Sequence, residues 1–189
     1  SNGGAADSTG ISEFTAEDAK LSSSVTAMVV TQVHIEDFNS DGGVSQSEEY
    51  IFLADADLQR IVRFRYNNTP PDGDIGFSAL PSISLTGITV STGLTISIDP
   101  VGMDIEQNGS VAYVANATAI YKLDISSSEA TIITSFGGYG FGDGKFEQIS
   151  YLKGRKALDE SEFSEIYVAD SVSKRISVFS THGEFIRYF

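Results

Sequence analysis

The sequence predicts an all-β repeat protein, and three observations carry that prediction. Three segments align with one another: "YIFLADADLQRIVRF" from Tyr50, "VAYVANATAIYKLDI" from Val111 and "EIYVADSVSKRISVF" from Glu165. Each reads as two short strands with alternating apolar positions around a polar turn, the period of two that marks strands with one buried face. No stretch of the 189 residues offers a persuasive amphipathic helix; the best, "TAEDAKLSSSVTAM", reads as linker.

Each element has a local reason. The first strand of every copy ends in Ala followed by Asp or Asn, at Asp55, Asn116 and Asp170. Ala permits close packing, and the short polar side chain after it can accept hydrogen bonds from backbone N–H groups of the following turn. In the second strand Ile61, Val62 and Phe64 correspond to Ile176, Ser177 and Phe179, while the weaker middle copy keeps Ile120 and Leu123. Two further strands flank each pair. "VTAMVVTQVHI" and "SISLTGITV" bracket the first copy, "VGMDIEQ" and "ATIITSF" the second, "FEQISYL" and "GEFIRYF" the third. The outcome is three units of four antiparallel strands, at about residues 25–92, 93–136 and 137–189, behind a flexible linker over 1–24.

Composition narrows the partners. With 41% hydrophobic residues the chain can build a substantial core, and no apolar run approaches the roughly 18 residues of a membrane span. Lys and Arg number 12 against 26 Asp and Glu, a net charge of −14. That surface repels phosphate backbones, so nucleic acid is not an expected partner, whereas divalent cations and basic surfaces are. There is no cysteine, which excludes disulfides and thiolate metal sites. The Gly-, Ala- and Ser-rich start, "SNGGAADSTG", fits a flexible tether, one reading of which leads to a membrane anchor.

The third unit, "FGGYGFGDGKFEQISYL…EIYVADSVSKRISVFSTHGEFIRYF", resembles an NHL repeat. The shared features are a glycine-rich entry (Gly140, Gly142, Gly144) with Phe146, then Tyr167-Val168-Ala169-Asp170. Arg175, Ile176, Val178 and Phe179 follow, and Gly183 and Phe185 close the unit. The first unit matches at Leu53, Ala54, Asp55, Arg60, Ile61, Val62 and Phe64; the second retains Pro100, Gly102, Val114, Ala115 and Asn116 but lacks the Arg. Departures are Ile149, where the family often has Pro, and Val172-Ser173 in place of Gly-Asn. The resemblance implies an all-β, β-propeller-type fold of three four-stranded antiparallel blades. Propellers need a closed ring to hide their sheet edges. Three blades therefore read as a half-ring that closes by dimerisation, or as a fragment of a longer propeller. The copies start 61 and 54 residues apart, beyond the ~40–50 of a usual blade, so long hairpin loops must absorb the difference.

The sharpest local motif is "DFNSDGGVSQSE", which fits the calcium-loop pattern D-x-[DN]-x-[DN]-G-x5-E in full. Asp37, Asn39 and Asp41 take positions one, three and five; Gly42 makes the sharp turn, and Gly43 offers its carbonyl at seven. Ser45 stands at nine and Glu48 at twelve, where a carboxylate can bind through both oxygens. The flanks are strands rather than the helices of an EF-hand. Two readings stay open: a calcium-bearing hairpin loop, as in integrin-type propeller repeats, or a polar hairpin turn built on Asp-Gly. The later acidic loop, with Asp159, Glu160, Glu162 and Glu165, lacks ligand spacing.

"FGGYGFGDGK" is not a phosphate loop, since no Ser or Thr follows Lys145 and a strand should come next. It reads as a crossing between blades, with Tyr139 and Phe141 packing beneath. His34 and His182 are the only histidines, no Gly-x-Ser-x-Gly elbow exists, and both histidines read as structural or exposed. The sequence thus points to a non-catalytic binding or scaffold module with a structural calcium loop, serving a protein or carbohydrate partner. Its expected place is extracellular, periplasmic or at the cell envelope, and it is expected to be a homo-oligomer. The alternative, implied by the resemblance, is a propeller-type lyase or hydrolase with a divalent metal near the ring axis.

Overall fold

A computed structural model describes residues 20–35, 46–67, 76–156 and 162–189, all of them in strands, turns or extended segments. Strands β1 (Val25–Ile35), β2 (Gln46–Asp55), β3 (Arg60–Asn67) and β4 (Gly76–Ser84) form one antiparallel sheet in chain order. After a two-stranded hairpin of β5 (Ile88–Thr89) and β6 (Thr95–Ile96), a second sheet holds β7 (Gly102–Ile105), β8 (Val111–Ala115), β9 (Ala119–Asp124) and β10 (Thr131–Gly137). The third holds β11 (Ile149–Lys156), β12 (Phe163–Asp170), β13 (Arg175–Ser180) and β14 (Phe185–Tyr188). The three aligned segments are thus the second and third strands of three equivalent meanders.

The fourth strand of the first meander lies earlier than its apolar letters suggest. "SISLTGITV" does not run through; the strand ends at Ser84, and Ile88–Thr89 pairs with Thr95–Ile96 instead. Ser84 pairs with Arg60, the first residue of β3, so the ladder has no partner beyond it. Pro81, lacking an N–H, sits on the outermost strand beside a register break between Ile61 and Arg63, and its carbonyl accepts from Arg63 Nη2 at 2.8 Å. Leu85 then donates its N–H to Gln59 O, and Ile98 donates to Leu85 O, leading the chain into the second sheet.

The Ala-Asp step does the work expected of it and more. Asp170 accepts from the N–H groups of Val172 and Ser173 in its own turn, and from Glu147 and Gln148 ahead of β11. Asp55 repeats the pattern with Leu58 in the turn and with the Ser22 N–H and hydroxyl ahead of β1. Each carboxylate therefore ties the entry of a meander to the turn after its second strand. Asn116 keeps only the turn half, accepting from Thr118 and Ala119. The turns of the first and third meanders share a further detail: Gln59 (φ 46°) and Lys174 (φ 54°), one residue before the equivalent arginines, are both left-handed.

The sheets stack through two apolar clusters. Between the first and second sheets lie Phe52, Ala54, Ile61 and Ile83 against Met103, Ile105, Val114 and Leu123. Between the second and third lie Tyr113, Ala115 and Ile120 against Leu152, Ile166, Val168 and Phe179. The middle sheet is covered on both faces, which is why β7 and β8 are buried almost throughout. Each fully buried Leu, Ile or Phe contributes roughly 1.5–3 kcal/mol, so these layers supply most of the stacking free energy. The glycine-rich crossing departs from expectation. Tyr139 and Phe141 are exposed, and Phe146 is the aromatic that goes inside, because Arg175 holds the crossing by the carbonyls of Phe141, Gly142 and Lys145.

Gly183 shows how tightly the sheets meet. Its φ is +87°, and an added Cβ would lie 2.6 Å from the Phe136 ring of the neighbouring sheet. Gly183→Ala combines left-handed strain with a clash, and is expected to cost about 2–4 kcal/mol in urea unfolding. A loss below about 0.5 kcal/mol would contradict this packing.

Candidate binding groove on the first strands

The first strands of the three sheets lie side by side, with β7 between β1 and β11. Thr26, on β1, donates to the Pro100 carbonyl just before β7 at 2.7 Å. Between these strands runs a groove of about 180 Å³. Val29, Ile105 and Phe163 give it apolar walls, Thr31 adds a hydroxyl, and Lys153 and Lys156 bring two ammonium groups to one side.

Its organising residue is Asp104, in the middle of β7 and 1% exposed. A charge so deep is costly unless hydrogen-bonded. Gly154 N donates to Oδ2 at 2.8 Å, Lys153 Nζ reaches both oxygens at 3.1–3.2 Å, and Ile105 N donates to Oδ1 at 3.0 Å. The contact requires glycine at 154, because an added Cβ would fall 2.3 Å from the Phe163 ring. Asp104 thus fixes β11 against β7 and holds Lys153 over the groove. Lys156 lies 3.3 Å from Gln107 Oε1. Asp104 drew no attention as a sequence feature; the signal was a lone carboxylate in "VGMDI", an otherwise apolar strand.

A second acid, Glu106, is sealed between sheets. Burial raises its carboxyl, opposed by Lys122 Nζ at 3.8 Å, and Tyr113 OH donates to it at 3.3 Å. Burial and the charge of Glu106 in turn push the Tyr113 phenol well up. Tyr113 is fully buried, so the pair braces the junction with the third sheet, where its hydroxyl also reaches Thr181 O. A larger hollow of about 290 Å³ opens at the outer strands, lined by hydroxyls of Ser84, Thr86, Thr89 and Thr131 with Glu129. Ser84 and Thr86 bond to each other there at 3.0 Å.

Of the calcium-loop residues, Asp37, Asn39, Asp41, Gly43 and Ser45 lie outside the described residues. Glu48 is described, at the start of β2: it accepts from Tyr50 OH at 2.6 Å and stands 3.8 Å from Arg65 Nη1. Burial, then the bond and charge of Glu48, push the Tyr50 phenol up to about 12. No group of three or more His, Cys, Asp or Glu converges on a metal position among the described residues. The backbone of His34 is in β1, and its side chain lies outside the described residues; His182 is exposed in the β13–β14 turn.

Stacked antiparallel meanders with a groove on their first strands define the class: an all-β repeat protein. No family model matches the chain, and no curated protein is similar to it in sequence. Solved structures are similar in part. One is a protein of unknown function from Desulfotomaculum acetoxidans, at 17% identity and a TM-score of 0.44, covering 74% of this chain and 38% of that one. Another is a candidate 6-phosphogluconolactonase from Bacteroides uniformis, at 11% identity and a TM-score of 0.44, covering 86% of this chain and 53% of its own. The chain therefore spans between about two fifths and half the length of these two proteins. None of the described helices is long and apolar enough to cross a membrane, since the described residues form none.

Proposed function

We propose that the three meanders are propeller-type blades forming a non-catalytic binding or scaffold module at the cell envelope or outside the cell. The observation that carries this reading is the stacking of three equivalent meanders with their first strands gathered on one groove. A frame held by buried Asp55, Asp104 and Asp170 is stiff, and stiff frames present loops for recognition. The groove, with apolar walls and two ammonium groups, suits an acidic or hydroxyl-rich group of a protein or carbohydrate partner. A lyase or hydrolase with a divalent ion on the axis is the less favoured alternative. Both oxygens of Asp104, the carboxylate at that groove, already accept from Lys153 and Gly154.

Calcium is assigned to the loop from Asp37 to Glu48 as a stiffening ion, with Asp37, Asn39, Asp41, the Gly43 carbonyl, Ser45 and Glu48 as its ligands. Glu48 would exchange its bond from Tyr50 for the ion. Titration calorimetry with calcium is expected to give a single binding event in the wild type that Asp37→Ala and Glu48→Ala each abolish. Equal heats in all three proteins would remove the site.

A further inference from the structure

The hollow at the outer strands shares no residue with the groove, and its walls come from the end of β4, from β5 and from the start of β10. Backbone bonds hold those walls together. Ser84 N donates to Ser128 O at 3.1 Å, and Ser84 forms a parallel bridge with Glu129, fastening the first sheet to the second. Gly87, left-handed at φ +67°, turns the chain from β4 into β5 and brings Thr86 and Thr89 to one hollow. Ser127 fixes the Glu129 backbone: its hydroxyl donates to Glu129 O at 2.7 Å and accepts from Glu129 N at 3.3 Å.

The lining divides by chemistry. Ile88 and Ala130, 4% and 7% exposed, supply its apolar part. Ser84 and Thr86 bond their hydroxyls to each other at 3.0 Å. Among the described residues the Glu129 carboxylate and the hydroxyls of Thr89 and Thr131 make no hydrogen bond or ion pair. Three polar groups thus line a concave site with their bonding capacity free.

A hydroxyl donates and accepts, whereas a carboxylate only accepts, so the complementary ligand must do both and carry a surplus of donors. Adjacent hydroxyls of a neutral sugar meet that demand, and the C–H face of the ring suits Ile88 and Ala130. Anions are repelled by Glu129 and by the net charge of −14. An ammonium would satisfy Glu129 but offers the hydroxyls no acceptor. A calcium ion, which takes about 6–8 oxygens, would find a single carboxylate. The volume, about 290 Å³, stands at the small end of the ~300–1,000 Å³ of ligand pockets, which fits one ring rather than a chain of them.

We infer that this hollow binds one neutral pyranose ring, with Glu129 accepting from two adjacent sugar hydroxyls and Thr89 and Thr131 bonding to others. The site needs only the junction of the first and second sheets, and stands or falls separately from the groove.

The test is a titration of the full chain with the methyl glycosides of glucose, galactose and mannose, read from backbone amide NMR shifts. At least one of the three is expected to give saturable millimolar binding that moves the amides of residues 84, 86–89 and 129–131 and leaves Lys153 and Gly154 in place. Glu129→Ala is expected to weaken that binding about tenfold or more, and Thr131→Val about threefold. Both positions are exposed, and an otherwise unchanged spectrum confirms that each variant is folded. Should Glu129→Ala fail to fold, Thr131→Val decides alone. No saturable shift with any of the three sugars, shifts outside the hollow, or unchanged affinity in the variants overturns the inference. Shifts with tetramethylammonium and none with the sugars overturn it too, by assigning the hollow to a cation.

Discussion

Asp170→Ala is expected to lower the stability of the folded chain by about 3 kcal/mol, a fall of roughly 6–12 °C in Tm for a domain of this size. Four backbone N–H groups lose their acceptor at once: Val172 and Ser173 in the turn, Glu147 and Gln148 at the entry to β11. The carboxylate is 2% exposed, so little water can replace it. The effect has a pH signature. Burial pushes the carboxyl up, but the N–H groups of Glu147, Ser173 and Gln148 outweigh burial and hold it at about 2, below its ordinary 3.8. A depressed carboxyl stabilises the fold fully above its unfolded value and loses that contribution as the pH falls through its folded one. The gap between wild type and Asp170→Ala should therefore be constant at neutral pH and narrow between about pH 4 and pH 2. Urea unfolding across that range measures it; a gap that stays constant down to pH 2 would mean the carboxylate is not what holds the turn.

Phe179→Ala is expected to cost more, about 3–5 kcal/mol, because it removes a ring from the centre of the second junction and leaves a cavity. Phe179 is 1% exposed, with the rings of Phe136, Phe146 and Phe185 at 5.0, 5.7 and 5.8 Å. Its partners come from β10, from the crossing before β11 and from β14, so the second and third sheets should loosen together. Phe141→Ala is the internal control: that ring is 70% exposed, and its loss should change stability by less than about 0.5 kcal/mol. Equal losses for the two variants would refute the placement of the core.

Much of the frame was legible because strands declare themselves locally. Alternation in "YIFLADADLQRIVRF" and "EIYVADSVSKRISVF" marks two strands and a turn without reference to the rest of the chain, and both turn carboxylates accept N–H groups as their chemistry implies. Other features needed partners from afar. The fourth strand of the first meander was misplaced because the letters of "SISLTGITV" are as apolar as a strand, and only its pairing, which runs out at Arg60, the first residue of β3, ends it at Ser84. Tyr139 and Phe141 were expected inside because aromatics usually are; the grip of Arg175, 30 or more residues away, turns them out.

The candidate site divides in the same way. The calcium loop is a contiguous motif and was read whole from twelve letters. The groove is not contiguous at all: Asp104 meets Gly154 across 50 residues, and Thr26 meets Pro100 across 74. The amino-acid order by itself determined the period, the strands and the carboxylates that cap their turns, since each depends on neighbours within a few positions. Only the tertiary structure decided which faces of the sheets meet and where Asp104 finds its donors. Those outcomes depend on one sheet stacking against another, and stacking brings together residues that share no pattern along the chain.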